Sequence, residues 1–385
     1  MGFLSGRVTY VRYRVSGGSP LPFGEELLEQ VERHAIGRHG AADPTDGVTT
    51  GWAGGDHVLD TSFDLAKNIV NDALHLAMRV DTDKIPGTLL KAYTRIETDA
   101  RAKNNPSGYP TKAQRAEAKE AARIRAEAES ADGRFRRLAH YPVLWDGQTN
   151  TLYAGATSAS VLDRLMSLFR ETFDRTLEPV SAGTLAQTQA EDRGEQPANG
   201  FGPIGFVGED ASYTSVAWSA DDVNRPDFLG NEFLIWLWHT LQNVGDTIPL
   251  PDGSDAAVMV TKTLTLDCPR GETGRDQLTN EGPTRLPEAF RALQAGKLPR
   301  KAGLIVVRHG QQYELTLQAE SLSVSGANLP KVEGASGREI QVARVDLLRH
   351  LVETLDLLYD AFGRCRTGPG WNNELGRIRR WLQAA

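Results

Sequence analysis

Apolar residues change their spacing several times along this chain, and each change predicts an element. Between Arg7 and Val15, Val8 and Tyr10 alternate with Thr9, Val11 and Tyr13, the period of a strand with one strongly apolar face. Phe23 to Ala35 reads as a helix with Leu27, Leu28 and Val31 on one side, and Ala73 to Asp81 as a second strand. After Ile85-Pro86, Leu89, Leu90, Tyr93 and Ile96 recur three or four apart, predicting a helix over Gly87 to Lys103. The cluster Asn104 to Pro110 is a turn, and Thr111 stands where an N-cap would precede a second helix over Lys112 to Glu129. That helix would be about 27 Å long. Apart from Ile124 it holds almost no apolar residue larger than alanine, so it can bury little by itself. The pair predicts a projecting helical hairpin, here called the arm.

Tyr141 to Asp146 and Thr151 to Ala156 flank Gly147-Gln148-Thr149-Asn150, a hairpin signal. Ser158 or Ser160 then caps a helix running to about Phe173. Gln187 to Gly208 is polar and interspersed with glycine and proline, which predicts a loop or linker. Beyond it come a strand at Thr214 to Ser219 and a helix over Asp227 to Asn243 that is apolar on most faces, hence central and buried. A strand at Ala256 to Asp267, a short helix at Pro287 to Gln294 and a hairpin around His309-Gly310 follow. Arg338 to Arg364 predicts a long helix, and Glu374 to Leu382 a short basic one. The class is α+β, with antiparallel sheets packed against helices. The expected domains are 1–83 with 138–186, the arm at 84–137, a linker at 187–212 and a C-terminal domain at 213–385.

Composition sharpens one part of this picture. The chain has 385 residues and a formal charge of -7, yet Lys84 to Arg137 holds 13 Lys or Arg against 7 Asp or Glu. The rest of the chain is therefore near -13. Such a concentration of cations fits an anionic partner, and a solvated helix face laced by i,i+4 ion pairs fits it as well. The candidate phosphate contacts on the arm are Arg101, Lys103, Arg115, Lys119 and Arg123. A second basic group is Arg270, Arg275, Lys297, Arg300 and Lys301, read as lying on loops at strand ends. Cations placed there contact phosphates without reading bases, although Lys297 also suits the C-terminal end of a helix.

Enzymatic motifs are scarce. The chain holds no G-x-x-x-x-G-K-[ST], H-E-x-x-H, paired C-x-x-C or G-x-S-x-G. Gly200-Phe201-Gly202-Pro203-Ile204-Gly205 matches G-x-G-x-x-G, but Pro203 stands where a phosphate-binding helix should begin. Asp56, Asp60 and Asp64 would suit a divalent metal for phosphodiester hydrolysis if they shared one helix. Gly54-Gly55 and Thr61-Ser62 instead favour turns and caps. No cofactor is implied. No run reaches the roughly 18 apolar residues of a membrane span. No secretory signal opens the chain, and the two cysteines, Cys268 and Cys365, sit in unrelated contexts, which together suggest a reducing cytoplasm.

The order of several segments resembles the bacterial RdgC family of recombination-associated DNA-binding proteins. The likeness rests on Val8-Thr9-Tyr10-Val11-Arg12-Tyr13-Arg14, on Asp83-Lys84-Ile85-Pro86 leading into a charged helical insertion, and on Leu144-Trp145-Asp146 before a hairpin and helix. It continues with Ala295-Gly296-Lys297, Arg300-Lys301-Ala302-Gly303-Leu304 and Gln311-Gln312-Tyr313-Glu314-Leu315. The linker, the helix with Trp236 and Trp238, and a longer C-terminal extension depart from the family pattern. The resemblance implies a ring-shaped homodimer that encircles duplex DNA without sequence preference, associates with the nucleoid and restrains RecA. Carried over, Arg270, Lys297, Arg300 and Lys301 would line the hole, and the arm would help close the ring. Two other readings stay open: a divalent-metal nuclease using Asp56, Asp60 and Asp64, and a scaffold whose arm pairs with an acidic protein.

Overall fold

The alternating residues near the N-terminus form a strand that is paired on both sides, and the larger sheet is built around it. The computed structural model describes residues 2–38, 47–103, 105–195, 202–207, 216, 226–271, 273–332 and 334–384. Their elements, in chain order, are β1 (Val8–Val15), α1 (Glu25–Arg33), β2 (Val48–Ala53), α2 (Leu65–Asn68), β3 (Ile69–Val70), β4 (Ala73–Asp83), α3 (Gly87–Ala102), α4 (Lys112–Ser130), β5 (Arg136–Asp146), β6 (Thr151–Ala154), α5 (Ala159–Phe173) and β7 (Leu177–Pro179). The second half adds α6 (Ala182–Asp192), α7 (Leu229–Asn243), β8 (Thr247–Pro249), β9 (Asp255–Asp267), β10 (Asp276–Asn280), a 3₁₀ turn at Pro283–Arg285, α8 (Pro287–Gln294), β11 (Leu298–Arg308), β12 (Gln311–Gln318), β13 (Val324–Asn328), α9 (Arg338–Thr367) and α10 (Trp371–Ala384). The class is α+β with antiparallel pairing, as the alternation and the hairpin signals indicated.

Two compact units contain these elements: Met1–Gly24, Asp64–His75 and Pro142–Ala385 form one, and Glu25–Phe63 with Leu76–Tyr141 form the other. In the larger unit, β1 pairs β6 through Val11–Arg14 and β13 through Val8 and Tyr10. From β13 the sheet continues through β12 and β11 to β9. A strand of the expected N-terminal domain thus pairs with one of the expected C-terminal domain, and the units do not follow the boundaries drawn at the linker. Strand partners far apart in sequence leave no local trace, which is why composition placed the division elsewhere.

The core of this unit forms where α7 packs on β11 and β9. Every residue from Leu229 to His239 is buried, which accounts for a helix apolar on most faces. Gly230 permits a close approach of α7 to the segment after β12: a Cβ there would lie 1.9 Å from the Ala319 carbonyl oxygen. Buried in the first turn of α7, Glu232 accepts from Arg366 Nε at 2.7 Å and from the Ile204 amide at 2.9 Å. Burial pushes the Glu232 carboxyl above its ordinary value, against the pull of Arg366. Around Trp145, the rings of Phe23, Phe169 and Phe173 stand edge-on at 5.2–5.5 Å.

Part of the expected linker is helical. Ser181 and Thr184 form a capping box, and α6 buries Leu185 and Ala190. Its small side chains gave too weak a periodicity to reveal it. The strand expected at Thr214 to Ser219 falls almost wholly outside the described residues. So do Gly200 and Phe201 of the glycine motif, and no helix starts at Pro203.

In the smaller unit, β2 pairs β4, with Val48 opposite Thr82 and Ala53 opposite Ala77. Trp52, Met78, Leu28 and Val31 are buried. The helical hairpin is present as expected. Thr111 Oγ1 accepts from the Gln114 amide while the Gln114 side chain accepts from the Thr111 amide, so α4 starts at Lys112. Asn105 and Gln114 exchange two hydrogen bonds across the turn. No residue of α3 is buried, and α4 buries only Ala118, Ala122 and Ala126, one per turn.

Candidate nucleic-acid interface

The capping box sets the phase of α4, and that phase sorts its charges. With Ala118, Ala122 and Ala126 turned inward, Lys112, Arg115, Lys119 and Arg123 follow one another at steps of three and four, which puts them on one exposed stripe. From Lys112 to Arg123 the helix rises about 16 Å. Lys91 and Arg95 of α3 face Lys119 and Arg123 across a groove of about 590 Å³, floored by Leu90, Thr94, Thr98 and Ala116.

Ion pairing on the arm is one-sided. All seven of its carboxylates are paired: Glu97 and Glu117 with Arg101, Asp99 with Arg95, Glu120 and Glu127 with Arg123, Glu129 with Arg125 and Arg134, and Asp132 with Arg134. Arg136 pairs with Asp83. Lys84, Lys91, Lys103, Lys112, Arg115, Lys119 and Arg137 are exposed and have no ion pair among the described residues. Three of the five expected arm contacts, Lys103, Arg115 and Lys119, are therefore available, whereas Arg101 and Arg123 are engaged. Lys91 and Lys112 complete the surface. Sequence reasoning passed over both, though the spacing of Lys112 to Arg115 and Lys119 could have found one of them.

Three of the paired carboxylates, Glu120, Glu129 and Asp132, stay ionised further into acid than usual. The Arg123 guanidinium holds Glu120 below its ordinary value, the Tyr93 hydroxyl and then Arg125 hold Glu129 low, and Arg134 does so for Asp132. Arg125 also lies 4.2 Å above the Tyr93 ring. These pairs are solvent-exposed and individually weak. A phosphate can therefore compete for the same guanidinium groups.

The second basic group does not form an accessible set. Arg300 and Lys301 lie within β11, not on a loop, and the pairing with β9 is irregular between Pro299 and Lys301. Arg300 Nε donates to Glu320 at 2.8 Å and Arg300 also approaches Asp267 at 3.7 Å. Arg275 pairs with the same Asp267 at 3.0 Å. Lys297 is largely buried and donates to Asp276 at 2.8 Å and to the Gly274 carbonyl at 2.6 Å. Lys301 and Arg270 are exposed. The antiparallel register sets Leu298 opposite Asp267 and Asp276 opposite Leu266. It thereby brings acids from the ends of β9 and β10 onto cations that look free in the sequence.

The acidic cluster is used in turns. Asp60 is buried and accepts from the Asp56 and Ser62 amides and the Ser62 hydroxyl. Asp64 caps α2 by accepting from the Lys67 amide at 2.8 Å. Among the described residues no group of three or more His, Cys, Asp or Glu side chains is placed to hold a metal ion. No helix among them is long and apolar enough to cross a membrane. No protein-family model matches the chain, and no curated protein matches it either.

Proposed function

We propose that this chain is a sequence-nonspecific DNA-binding protein whose arm contacts the phosphate backbone. One observation supports the reading: every carboxylate of the arm is paired, and its surplus charge sits on seven exposed cations that have no ion pair among the described residues. Such cations displace condensed counterions from a polyanion, and the release of those ions drives association. Lysines and arginines at one-turn intervals on a helix track a backbone but do not read base edges, so affinity without sequence preference follows. The resemblance to the RdgC family supports the further reading that a homodimer encircles duplex DNA and restrains RecA-driven strand exchange. In that reading the arm takes over the phosphate contacts expected of Lys297 and Arg300, which are already bound to carboxylates.

A mobility-shift series over salt concentration tests phosphate binding, and a mass measurement of the free protein tests the dimer. Encirclement predicts retention on closed circles and loss by sliding from the ends of linear fragments. Equal retention on both would remove the ring while leaving phosphate binding standing. Absence of any shift at low salt would remove the whole reading and favour an acidic protein partner for the arm.

A further inference from the structure

A cleft of about 320 Å³ lies within the larger unit, between one face of the β1–β6 pair and one side of α9. Its walls follow from strand register and helical phase. Arg12 stands opposite Tyr153 and Arg14 opposite Thr151, so Arg12, Tyr153 and Thr151 share one sheet face. Across from them Arg349, Val352, Glu353, Asp356, Leu357 and Asp360 recur three or four apart, which makes them a single stripe of α9. Gln189 of α6 joins the lining, and its Nε2 donates to the Asp356 carbonyl at 2.8 Å. The volume is that of a small-molecule site.

The charges of this cleft are matched, with one donor left over. Arg349 holds Asp146 at 2.7 Å, Arg308 holds Glu353 at 2.7 Å, and Arg193 holds Asp360. Arg12 spans the cleft from β1 to α9 and gives Asp356 two hydrogen bonds, at 2.7 and 2.8 Å. The Arg12 side chain is 6% exposed and that of Asp356 is 29% exposed. Arg12 Nε has no acceptor among the described residues, yet the atom is not sealed off, so it opens on the cleft that the side chain lines. A guanidinium taken out of water with one edge unmet is unfavourable, and an acceptor brought by a ligand is favoured there. Beside it the partly open Asp356 carboxylate keeps lone pairs for a further donor. An occupant thus meets a cation and an anion side by side, while the other lining charges are already neutralised. That arrangement disfavours a simple anion or cation and fits a zwitterion. Apolar surface is left along Tyr153, Val352 and Leu357.

We propose that this cleft binds a small zwitterion of the α-amino-acid class with an apolar side chain. The carboxylate accepts from Arg12 Nε, the ammonium donates to Asp356, and the side chain lies along Tyr153, Val352 and Leu357. The two charged groups of an α-amino acid sit on one carbon, which suits a guanidinium and a carboxylate that are themselves in contact. The site lies wholly within the larger unit and does not depend on DNA binding by the arm.

L-leucine serves as the probe, titrated calorimetrically into the full chain. Leucinamide lacks the carboxylate, and 4-methylpentanoate lacks the ammonium. Saturable one-to-one binding of leucine is expected, with each analogue weaker by about tenfold or more because it loses a charged hydrogen bond. Arg12→Met with Asp356→Leu replaces the ion pair by apolar groups of similar size, an exchange that is often neutral for folding, and should abolish leucine binding. Thr151→Trp and Leu357→Trp, at half-buried wall positions, keep the ion pair and should block the cleft while the thermal unfolding midpoint stays close to wild type; they decide the matter if the double variant does not fold. No saturable binding at millimolar leucine, equal or tighter binding of either analogue, or wild-type affinity in both blocking variants would each overturn the proposal.

Discussion

Replacing Lys112, Arg115 and Lys119 together by alanine removes three exposed cations from one stripe of α4 and breaks no ion pair among the described residues. The expected loss follows from counterion release. Each neutralised phosphate contributes about -0.9 to the slope of log affinity against log salt, so three lost contacts should flatten the slope by about 2.7 units. Between about 50 and 200 mM salt, the wild-type advantage should then shrink roughly 40-fold. Fluorescence anisotropy on a labelled duplex of arbitrary sequence, repeated at four or so salt concentrations, measures both quantities. Stability should stay within about 0.5 kcal/mol because the positions are exposed, and alanine suits a helix interior. Arg123→Ala is the internal comparison. Its guanidinium already holds Glu120 and Glu127 at 2.6 Å, so its removal frees two carboxylates and should weaken binding by charge repulsion as well. A triple variant that folds normally and keeps the wild-type slope would refute the assignment of this stripe to phosphate contact.

Other outcomes follow from the same geometry. Affinity for DNA at fixed salt should be flat from about pH 8 to pH 5, because protonating Glu120, Glu129 or Asp132 would raise the arm's positive charge but their lowered values postpone it to stronger acid; a rise in affinity within that range, followed by anisotropy, would contradict the pairing. Arg366→Ala strands the buried Glu232 carboxylate and should cost about 3–5 kcal/mol in urea unfolding, and adding Glu232→Gln should recover part of that loss. Gly230→Ala forces a Cβ to within 1.9 Å of the Ala319 oxygen and should be among the most destabilising single changes in α7, read as a large drop in the melting midpoint. Asp252, held low at about 2 by the Ser254 hydroxyl and then by Arg308, contributes stability that is present above its ordinary value and lost as pH falls through about 2. The acid limb of the melting curve should therefore be shallower in Asp252→Asn.

Much of the secondary structure was determined by residues close together in the chain. Thr111 and Gln114 were enough to start α4, because a capping box needs only residues three apart. Gly147 to Asn150 and His309-Gly310 turned their hairpins with residues suited to positive φ, and Asn150, His309 and Gly310 adopt it. The run from Phe228 to Leu241 announced a buried helix because it is apolar on most faces. The one-sided charge of the arm was also legible, since a surplus of cations along a single helical hairpin survives any packing.

Tertiary structure alone decided which cations remain available. Asp267, Asp276 and Glu320 meet Arg275, Lys297 and Arg300 only because β10, β9, β11 and β12 align in register. Charge attraction at a few ångströms depends on distance in space, and sequence spacing does not report that distance across strands. The pairing of β1 with β13 and the reach of Arg12 to Asp356 arise in the same way. Each is a contact between segments whose own patterns are complete without the other.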